Sequence, residues 1–306
     1  MEKEILAQDK PKRKTKKPLT KRGKRLIIVF SAVAVLLFIT VWAIIANTYL
    51  TVTTFSIKSE NIPSAFDGYK IAHVSDIHDS EIGEEHKTLL DKLKQSNPDM
   101  IAITGDLIDS SRTNVEHSLR FVAEAVKIAP CYYVCGNHEI LSGKYEELRE
   151  ALLDLGVILL ENTNKKIEKD GEYISIMGIN DPFLYSFDLI THEYDETVVG
   201  ECIEEALVGT DGFRILLSHH PECFEYYREY GIDLTLSGHA HGGQFRLPLI
   251  GGLYAPHQGV FPKYDAGLFK NGSTRMIVSR GIGNSAFPLR LNNNPELIII
   301  ELDSAR

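Results

Sequence analysis

Beyond its first 25 residues, the 306-residue sequence lacks any excess of basic side chains. Residues 1–25 hold eleven Lys and Arg against three Asp and Glu, a net charge of +8. Because the whole chain carries −9, the remaining residues carry −17. Non-specific nucleic-acid binding needs a basic surface that neutralises phosphates. The acidic body therefore predicts no nucleic-acid partner, while small phosphorylated substrates stay open.

Charged residues are absent from Leu26 to Ala46, a run of 21 residues. At a rise of about 1.5 Å per residue, a helix of this length crosses a hydrocarbon core of about 30 Å. The run also lacks a small-x-small cleavage site, because Ile44 stands at the third position before a cut after Ala46. An uncleaved membrane anchor is therefore favoured over a signal peptide.

The basic tail precedes this segment and contains no twin-arginine pair. Basic residues beside a membrane span stay on the cytoplasmic side. We therefore predict a cytoplasmic tail over residues 1–25 and a transmembrane anchor over residues 26–47. Residues 48–306 show no internal repeat, low-complexity stretch or second linker, so they are predicted to form one domain. The result would be a single-pass cell-membrane protein with its domain outside the cytoplasm.

Cysteines are few: Cys131, Cys135, Cys202 and Cys223, with no second closely spaced pair. This argues against a zinc site built from cysteines. Cys131 and Cys135 would share a strand face, but four strand residues span about 13 Å, too far for a direct disulfide. The even count allows a disulfide in an extracytoplasmic domain, although buried thiols are the simplest prediction.

Short apolar runs alternate with amphipathic segments through the body of the chain. The apolar runs predict strands over residues 70–75, 100–104, 132–135, 173–178, 213–218, 234–237, 275–279 and 297–302. Periodic Leu and Val positions predict helices over residues 84–96, 114–128 and 145–156. The order β-α-β-α-β, followed by a half richer in strands, predicts an α/β domain.

Five of the predicted strands end in polar side chains. These residues are Asp76 and His78; Asp106 and Asp109; Asn137, His138 and Glu139; His219; and His239 with His241. Glycines 105, 136 and 238 stand beside them, where the chain is expected to turn sharply. Ligands of open α/β sheets bind beyond the carboxyl ends of the strands. Asp, Asn and His together suit Mn²⁺, Fe²⁺, Fe³⁺ or Zn²⁺ better than Ca²⁺, so one shared metal site is predicted.

The order of these blocks, D-x-H, G-D-x-x-D, G-N-H-E, H and G-H-x-H, resembles the calcineurin-like metallophosphoesterases. The later runs GGQFRLP, YAPHQG and SRGIGNSAFPLRLNNNPEL are similar to the membrane-associated bacterial YkuE/YaeI-type branch of that family. The resemblance covers roughly residues 68–302. It implies a four-layer α/β sandwich, with two mixed β-sheets flanked by helices, and two divalent metal ions (Mn, Zn or Fe).

The resemblance also implies the roles of the polar residues. The first metal would be held by Asp76, His78, Asp106 and His241, and the second by Asp106, Asn137, His219 and His239. Asp106 would then bridge both ions. His138 would contact the phosphoryl group or protonate the leaving oxygen, with Asp109 orienting it. His219, rather than its neighbour His220, is expected to bind metal because it fits the family's H-x-P pattern.

The implied function is a dinuclear-metal-dependent phosphoesterase. A phosphodiesterase acting on lipid- or envelope-linked phosphates, by in-line attack of a metal-bridging hydroxide, is the leading interpretation. Its partners would be a phosphorylated small molecule or lipid and the membrane around the anchor. A phosphomonoesterase or nucleotide hydrolase, or a metal-binding envelope protein without turnover, are the alternatives. A nucleophilic serine is disfavoured because no G-x-S-x-G motif occurs. Arg280 and His257 fall near a strand end and a loop, where either could meet substrate.

Overall fold

The computed structural model describes residues 20–305 except 189, 192, 285, 286 and 288. Most of the predicted basic tail, residues 1–25, therefore lies outside the described residues. The chain divides into two compact units, Met1–Trp42 and Ala43–Arg306. The predicted boundary between anchor and domain, after residue 47, stays a prediction.

Helix α1, Lys21–Thr48, is the one described helix that is long and apolar enough to cross a membrane. It contains the whole segment that the sequence predicts as the anchor. Nearly all of its side chains are exposed, as expected for a helix that faces lipid. Ala46 is buried near the end of the helix, and Leu50, just after the helix, is buried as well.

The second unit holds the remaining helices and all described strands. The helices are α2 (Lys87–Ser96), α3 (Val115–Ala125), α4 (Asn137–Leu141), α5 (Tyr145–Asp154), α6 (Thr197–Leu207) and α7 (Phe224–Glu229). The first nine strands are β1 (Thr51–Ser59), β2 (Lys70–Val74), β3 (Met100–Thr104), β4 (Cys131–Val134), β5 (Ile158–Leu159), β6 (Thr163–Lys169), β7 (Glu172–Gly178), β8 (Arg214–Leu217) and β9 (Leu234–Ser237). They are followed by β10 (Arg246–Leu247), β11 (Gly251–Gly252), β12 (Tyr254–Ala255), β13 (Gly259–Val260), β14 (Gly267–Asn271), β15 (Thr274–Val278) and β16 (Glu296–Ser304).

Two six-stranded sheets form the centre of this unit. The first has the order β1-β16-β2-β3-β4-β5 and the second β14-β15-β9-β8-β7-β6. Strands β2 to β5 are parallel, while β16 is antiparallel to β2. Strands β7, β8, β9 and β15 are parallel, with antiparallel partners at both edges. Both sheets are therefore mixed, as predicted.

The core lies in three layers. Ile71 of the first sheet and Leu217 of the second belong to one buried cluster between the sheets. Leu89 of α2 and Phe121 of α3 pack with the outer face of the first sheet. Ile203 of α6 belongs to a third cluster on the outer face of the second sheet. Helices thus cover both outer faces, which confirms the predicted four-layer architecture.

Sequence patterns located the central strands to within two residues but missed several peripheral elements. Strand β6 has the sequence TNKKIEK, which is polar because it is an edge strand with exposed side chains. Helix α6 contains Gly200 and two adjacent valines, which weaken its helical signal. The second half, predicted to be richer in strands, therefore also contains helices that cover its sheet. All four cysteines are buried thiols, as predicted.

Candidate metal centre

The carboxyl ends of β2, β3, β4, β8 and β9 meet at one end of the two sheets. Backbone hydrogen bonds join the turns that follow these strands: His78 N–H donates to the Asp106 carbonyl at 2.9 Å. Gly238 N–H likewise donates to the His219 carbonyl at 3.1 Å. The turns are thereby fixed against each other, and the polar side chains they carry converge.

One group consists of Asp76, His78, Asp106 and His241, whose potential ligand atoms all lie within 4.8 Å of one another. His78 Nε2 is 3.0 Å from His241 Nε2 and 3.4 Å from Asp106 Oδ2. His241 Nε2 is 3.4 Å from Asp76 Oδ1. All four residues are buried. The structure thus brings together two imidazoles and two carboxylates, the set predicted for the first metal.

A second group contains Asp106, His219 and His239, again with ligand atoms within 4.8 Å. His219 Nε2 lies 3.1 Å from Asp106 Oδ2. Asn137 begins helix α4 and borders the same cavity as Asp106 and His239. Asp106 belongs to both groups, which is the position that a bridging carboxylate requires. The structure therefore also brings together the set predicted for the second metal.

Several polar atoms of these groups have no hydrogen-bond partner among the described residues. They include Asp76 Oδ2 and Asn137 Oδ1, both buried. Leaving such an atom unpaired costs about 1–3 kcal/mol, and folded proteins contain few of them. Carboxylate, amide and imidazole donors of this kind suit first-row divalent cations. The donor set therefore fits two divalent metal ions.

The backbone of the ligand turns is strained. Asp76, His78, Asp106, His239 and His241 all adopt left-handed φ angles, between 47° and 64°. A residue other than glycine held there costs on the order of 1–3 kcal/mol, and such strain persists only where the surroundings impose it. Backbone strain at five residues of the two ligand groups is typical of a functional site whose geometry is fixed.

Glycines beside the ligands have two different reasons to be glycine. Gly105 has a positive φ of 85°, so its turn needs a residue without a Cβ. Gly136 has an ordinary φ of −116°, but a Cβ there would lie 2.4 Å from Asp106 Oδ1. A Cβ at Gly238 would lie 2.0 Å from Ser75 Oγ. The expectation of sharp turns holds for Gly105, whereas close packing against the ligand turns explains the other two.

Burial and charge set the protonation of the ligands. Burial lowers the pKa values of His78 and His241 to about 3, and for His241 the Arg290 cation adds to the effect. Both rings are therefore neutral, the form that binds metal. Burial alone would lower the pKa of His219, but the carboxylates of Asp106 and Asp76 raise it well above its usual value. A metal ion at His219 must therefore displace a proton.

His138 borders the cavity beside the two metal groups. Its Nδ1 lies 3.1 Å from both the backbone nitrogen and the hydroxyl of Ser110. The Asp109 carboxylate binds Arg112, and its Oδ2 lies 3.7 Å from His78 Nδ1. Asp109 is close to both histidines, since the potential ligand atoms of all three lie within 4.8 Å of one another. The orienting role expected of Asp109 stays a prediction, and Ser110 is a contact that sequence reasoning missed.

Glu139 has a structural role that the G-N-H-E block did not reveal. It is fully buried, and its carboxylate accepts backbone N–H groups of Gly136, Asp106 and Ile108. Burial, with a contribution from the Asp106 charge, raises the pKa of Glu139 to about 8. The side chain ties the turn after β3 to the start of α4, so it fixes Asp106 relative to Asn137.

His220 lies behind the second group. Its Nδ1 is 2.8 Å from Glu222 Oε1 and its Nε2 is 2.8 Å from Asp181 Oδ2. Burial would lower the pKa of His220, but the two carboxylates raise it to about 9, so the ring is a buried cation. His239 Nε2 lies 2.9 Å from His257 Nδ1, which links this surrounding layer to the second metal group. The structure thus places His219, and not His220, beside Asp106.

Arg290 supports the first group and could not be identified from the sequence. Its guanidinium is fully buried, donates to the carbonyl of Arg280 at 2.7 Å and to Asn284 Oδ1 at 2.9 Å, and lies 3.3 Å from His241 Nδ1. Arg280, considered as a substrate contact, instead has its Nε 3.7 Å from Glu296. No local sequence pattern marks this contact, because Arg290 is 49 residues from His241 in the chain.

A cavity of about 300 Å³ opens over the metal groups. Its lining residues are Asp106, Asn137, His138, Leu141, Phe183, Thr191, Glu193, His239, His241, Tyr254, Pro256 and His257. His257 lines this cavity, so it is positioned to contact substrate, as its place in the sequence allowed. No Lys or Arg occurs among these described lining residues, although the cavity would receive a phosphate ester.

The model of the calcineurin-like phosphoesterase family matches residues 69–243. The chain belongs to this family, and the protein is a metal-dependent phosphoric ester hydrolase. It is 32% identical over 257 residues to the uncharacterized metallophosphoesterase YkuE of Bacillus subtilis (strain 168), covering 82% of this chain and 85% of that protein. Phosphodiesterase YaeI of Escherichia coli (strain K12) is 30% identical, over 68% of this chain and 72% of its own length. A Danio rerio transmembrane protein with metallophosphoesterase domain is 28% identical, over 83% and 57% respectively.

The family and its bacterial YkuE/YaeI-type branch are therefore confirmed. The family match and the buried His and Asp groups support a site for two divalent metals, as predicted. The apolar helix α1 and the relative named as a transmembrane protein indicate a single-pass membrane protein. The roles of individual residues stay predictions.

Proposed function

We propose that the protein is a phosphodiesterase whose substrates are lipid- or envelope-linked phosphodiesters. The observation that carries this proposal is the wall of the cavity, where Leu141, Phe183 and Tyr254 supply apolar and aromatic surface. A phosphomonoester or nucleotide carries two or more negative charges, which proteins commonly bind with Arg and Lys. A diester carries one negative charge and an organic group on each side of phosphorus. An apolar wall without Lys or Arg suits it better, and the relative YaeI is named as a phosphodiesterase.

The proposed metal ligands are the seven residues Asp76, His78, Asp106, Asn137, His219, His239 and His241. Two divalent cations held there, Mn²⁺, Zn²⁺ or iron, would polarise the phosphoryl oxygens and activate a water molecule. Glu139 fixes the turn after β3 relative to the start of α4, and Arg290 holds the His241 ring. His138, with Ser110 at its Nδ1, is placed to contact the phosphoryl group or to donate a proton to the leaving oxygen.

The substrate class is tested by comparing an aryl phosphodiester, the matching aryl phosphomonoester and a nucleotide, with added Mn²⁺ and with the metal content measured. We expect kcat/KM for the diester to exceed that for the monoester at least about tenfold, or about 1.4 kcal/mol of transition-state stabilisation. Metal-stripped protein is the control. The reverse preference would favour the phosphomonoesterase or nucleotide hydrolase. Two bound metals without turnover of any ester would favour a non-catalytic metal-binding protein.

We propose further that the N-terminus is cytoplasmic and that the catalytic domain lies outside the cytoplasm of the cell. The support is the +8 charge of residues 1–25, next to the start of α1. Protease added to intact cells, with the outer wall or membrane opened where one is present, should then digest the domain. Protection equal to that of a cytoplasmic control protein would reverse this orientation.

A further inference from the structure

Two short hairpins, β10–β11 and β12–β13, follow the His239–His241 turn and expose large apolar side chains. Together with one nearby phenylalanine, these side chains form a surface that we name the apolar lip: Leu247, Leu249, Ile250, Val260, Phe261 and Phe287. Leu249 is fully exposed, and all but Leu247 are more than half exposed. Soluble monomers rarely leave such a patch uncovered unless it serves an interaction.

The lip is one continuous surface. Phe261 N–H donates to the Leu253 carbonyl at 2.9 Å, and Leu253 N–H donates to the Phe245 carbonyl at 2.8 Å, so the hairpins are joined. The Phe245 ring packs edge-on against Phe287, with centroids 5.2 Å apart. The Gln244 amide donates to the Phe287 carbonyl at 2.7 Å, which fixes Phe287 to the base of the hairpins.

The end of the membrane anchor is attached next to this surface. Asn47 directly follows the apolar run 26–46, and its Oδ1 accepts hydrogen bonds from Arg290 N–H and from the Asn284 amide, both at 3.0 Å. Arg290 is three residues from Phe287 in the chain. The chain therefore leaves the predicted membrane span at a point held by the same segment that carries Phe287. Because so few residues separate the predicted span from the segment that carries Phe287, the bilayer is the occupant that we infer for the lip rather than a soluble partner.

The charge of the lip region differs from that of the rest of the body. Residues 245–264 contain no Asp or Glu. Arg246 pairs with Asp265 at 3.0 Å, and Lys263 lies 3.7 Å from Glu225. Residues 26–306, which include this stretch, carry a net charge of −17. Membrane surfaces with anionic lipids repel acidic protein surfaces and accept apolar ones. The lip is thus the part of an acidic domain that suits contact with phospholipid.

One hairpin connects the lip with the metal cavity. Tyr254, Pro256 and His257 line the cavity, while Val260, which pairs with Tyr254 across the hairpin, and Phe261 belong to the lip. A phospholipid whose acyl chains remain at the lip could therefore place its headgroup toward His257 and the metal groups. An apolar surface continuous with the catalytic cavity fits an enzyme that takes its substrate from a bilayer.

We propose that the apolar lip inserts into the interface of the phospholipid bilayer that holds the anchor, so that the cavity receives phosphodiester headgroups from that bilayer. The membrane contact stands independently of catalysis. The second part, the headgroup as substrate, rests on the proposed phosphodiesterase function. The two parts are tested by separate measurements.

The membrane contact is tested on the full chain reconstituted in phosphatidylcholine vesicles containing phosphatidylglycerol. An environment-sensitive fluorophore is attached to Leu249→Cys, which labels selectively because the four native thiols are buried. Val208→Cys is the matched control, since Val208 is an apolar residue that is 74% exposed and lies outside the lip, beside the β6 edge. We expect lipids with a quencher near the headgroup to quench the label at residue 249 and not at 208. Equal, weak quenching at both positions overturns the proposal. A fluorescence change at residue 249 that depends on protein concentration, and not on the lipid quencher, also overturns it, because it indicates contact with a second copy of the chain.

The substrate part is tested with the double variant Leu249→Asp and Ile250→Asp. We expect kcat/KM on a soluble aryl phosphodiester to stay unchanged, while hydrolysis of a phospholipid diester in vesicles falls about tenfold or more because the lip no longer inserts. Val208→Asp should alter neither rate. Equal vesicle rates for the variant and the parent protein overturn the lip's role in substrate access. If the parent protein does not hydrolyse the soluble diester, the proposed phosphodiesterase function is contradicted. The fluorescence test of membrane contact does not depend on that result.

Discussion

Replacing Asp106 with Asn is expected to remove at least one metal ion and to lower kcat/KM on a phosphodiester by about 10²–10³-fold or more. Asp106 belongs to both ligand groups, with Oδ2 3.1 Å from His219 Nε2 and 3.4 Å from His78 Nε2. A carboxylate can offer one anionic oxygen to each of two cations, whereas an amide offers a single neutral oxygen. The measurements are metal ions per chain and the steady-state rate.

Asp181→Asn is the matched control for this variant. Asp181 is also a buried aspartate close to the site, but it binds His220 and belongs to neither predicted ligand set. We expect it to keep two metals per chain, because its loss affects the layer behind the second group. Both variants should retain a cooperative unfolding transition. Full occupancy by two metals in Asp106→Asn would show that the bridge is assigned to the wrong residue.

The ligand sets could be predicted from the sequence because each ligand follows a strand directly. A parallel strand places its carboxyl end at a fixed edge of the sheet, so Asp76, Asp106 and Asn137 had to meet once β2, β3 and β4 were recognised. The pair His219 and His220 is a harder case, since both follow β8. The structure separates them by their partners: Asp106 for His219, and Asp181 with Glu222 for His220.

The supporting residues could not be predicted, because nothing in their local sequence marks them. Arg290 reaches His241 across 49 residues, and Asp181 reaches His220 across 39. Such contacts depend on how loops pack, which periodicity and spacing do not encode. The same holds for the fold, where the buried strands gave clear apolar runs and the exposed edge strand β6 did not. Sequence patterns predict burial well, but they predict contacts between distant loops poorly.

The apolar lip shows a further limit of reading the sequence alone. The runs GGQFRLP and YAPHQG contributed to the family resemblance, but their apolar side chains could equally have been part of a core. Only the structure shows that Leu249, in the turn between β10 and β11, and Phe261, directly after β13, are exposed. Exposure of large apolar side chains is informative because folding would otherwise bury them.

Removal of the His138 imidazole, in His138→Ala, is expected to leave both metals and the fold intact while kcat/KM falls by about 10²–10⁴-fold. His138 borders the cavity but is absent from both predicted ligand sets, and its Nδ1 lies 3.1 Å from the Ser110 nitrogen. Because Nδ1 accepts the Ser110 N–H, the ring proton that can be donated to the leaving oxygen is on Nε2. An alkoxide needs that proton, whereas a nitrophenolate leaves as a stable anion.

The loss should therefore be larger for an alkyl phosphodiester than for a matched nitrophenyl diester, and this dependence separates proton donation from other roles of His138. Rates on both esters are to be measured after two metals per chain have been confirmed. Asp109→Asn should reproduce the pattern more weakly if Asp109 orients the His138 ring. Equal losses on both esters would reject proton donation and leave contact with the phosphoryl group as the role of His138. No loss on either ester would remove His138 from the chemistry, and a loss of metal would make it a ligand instead.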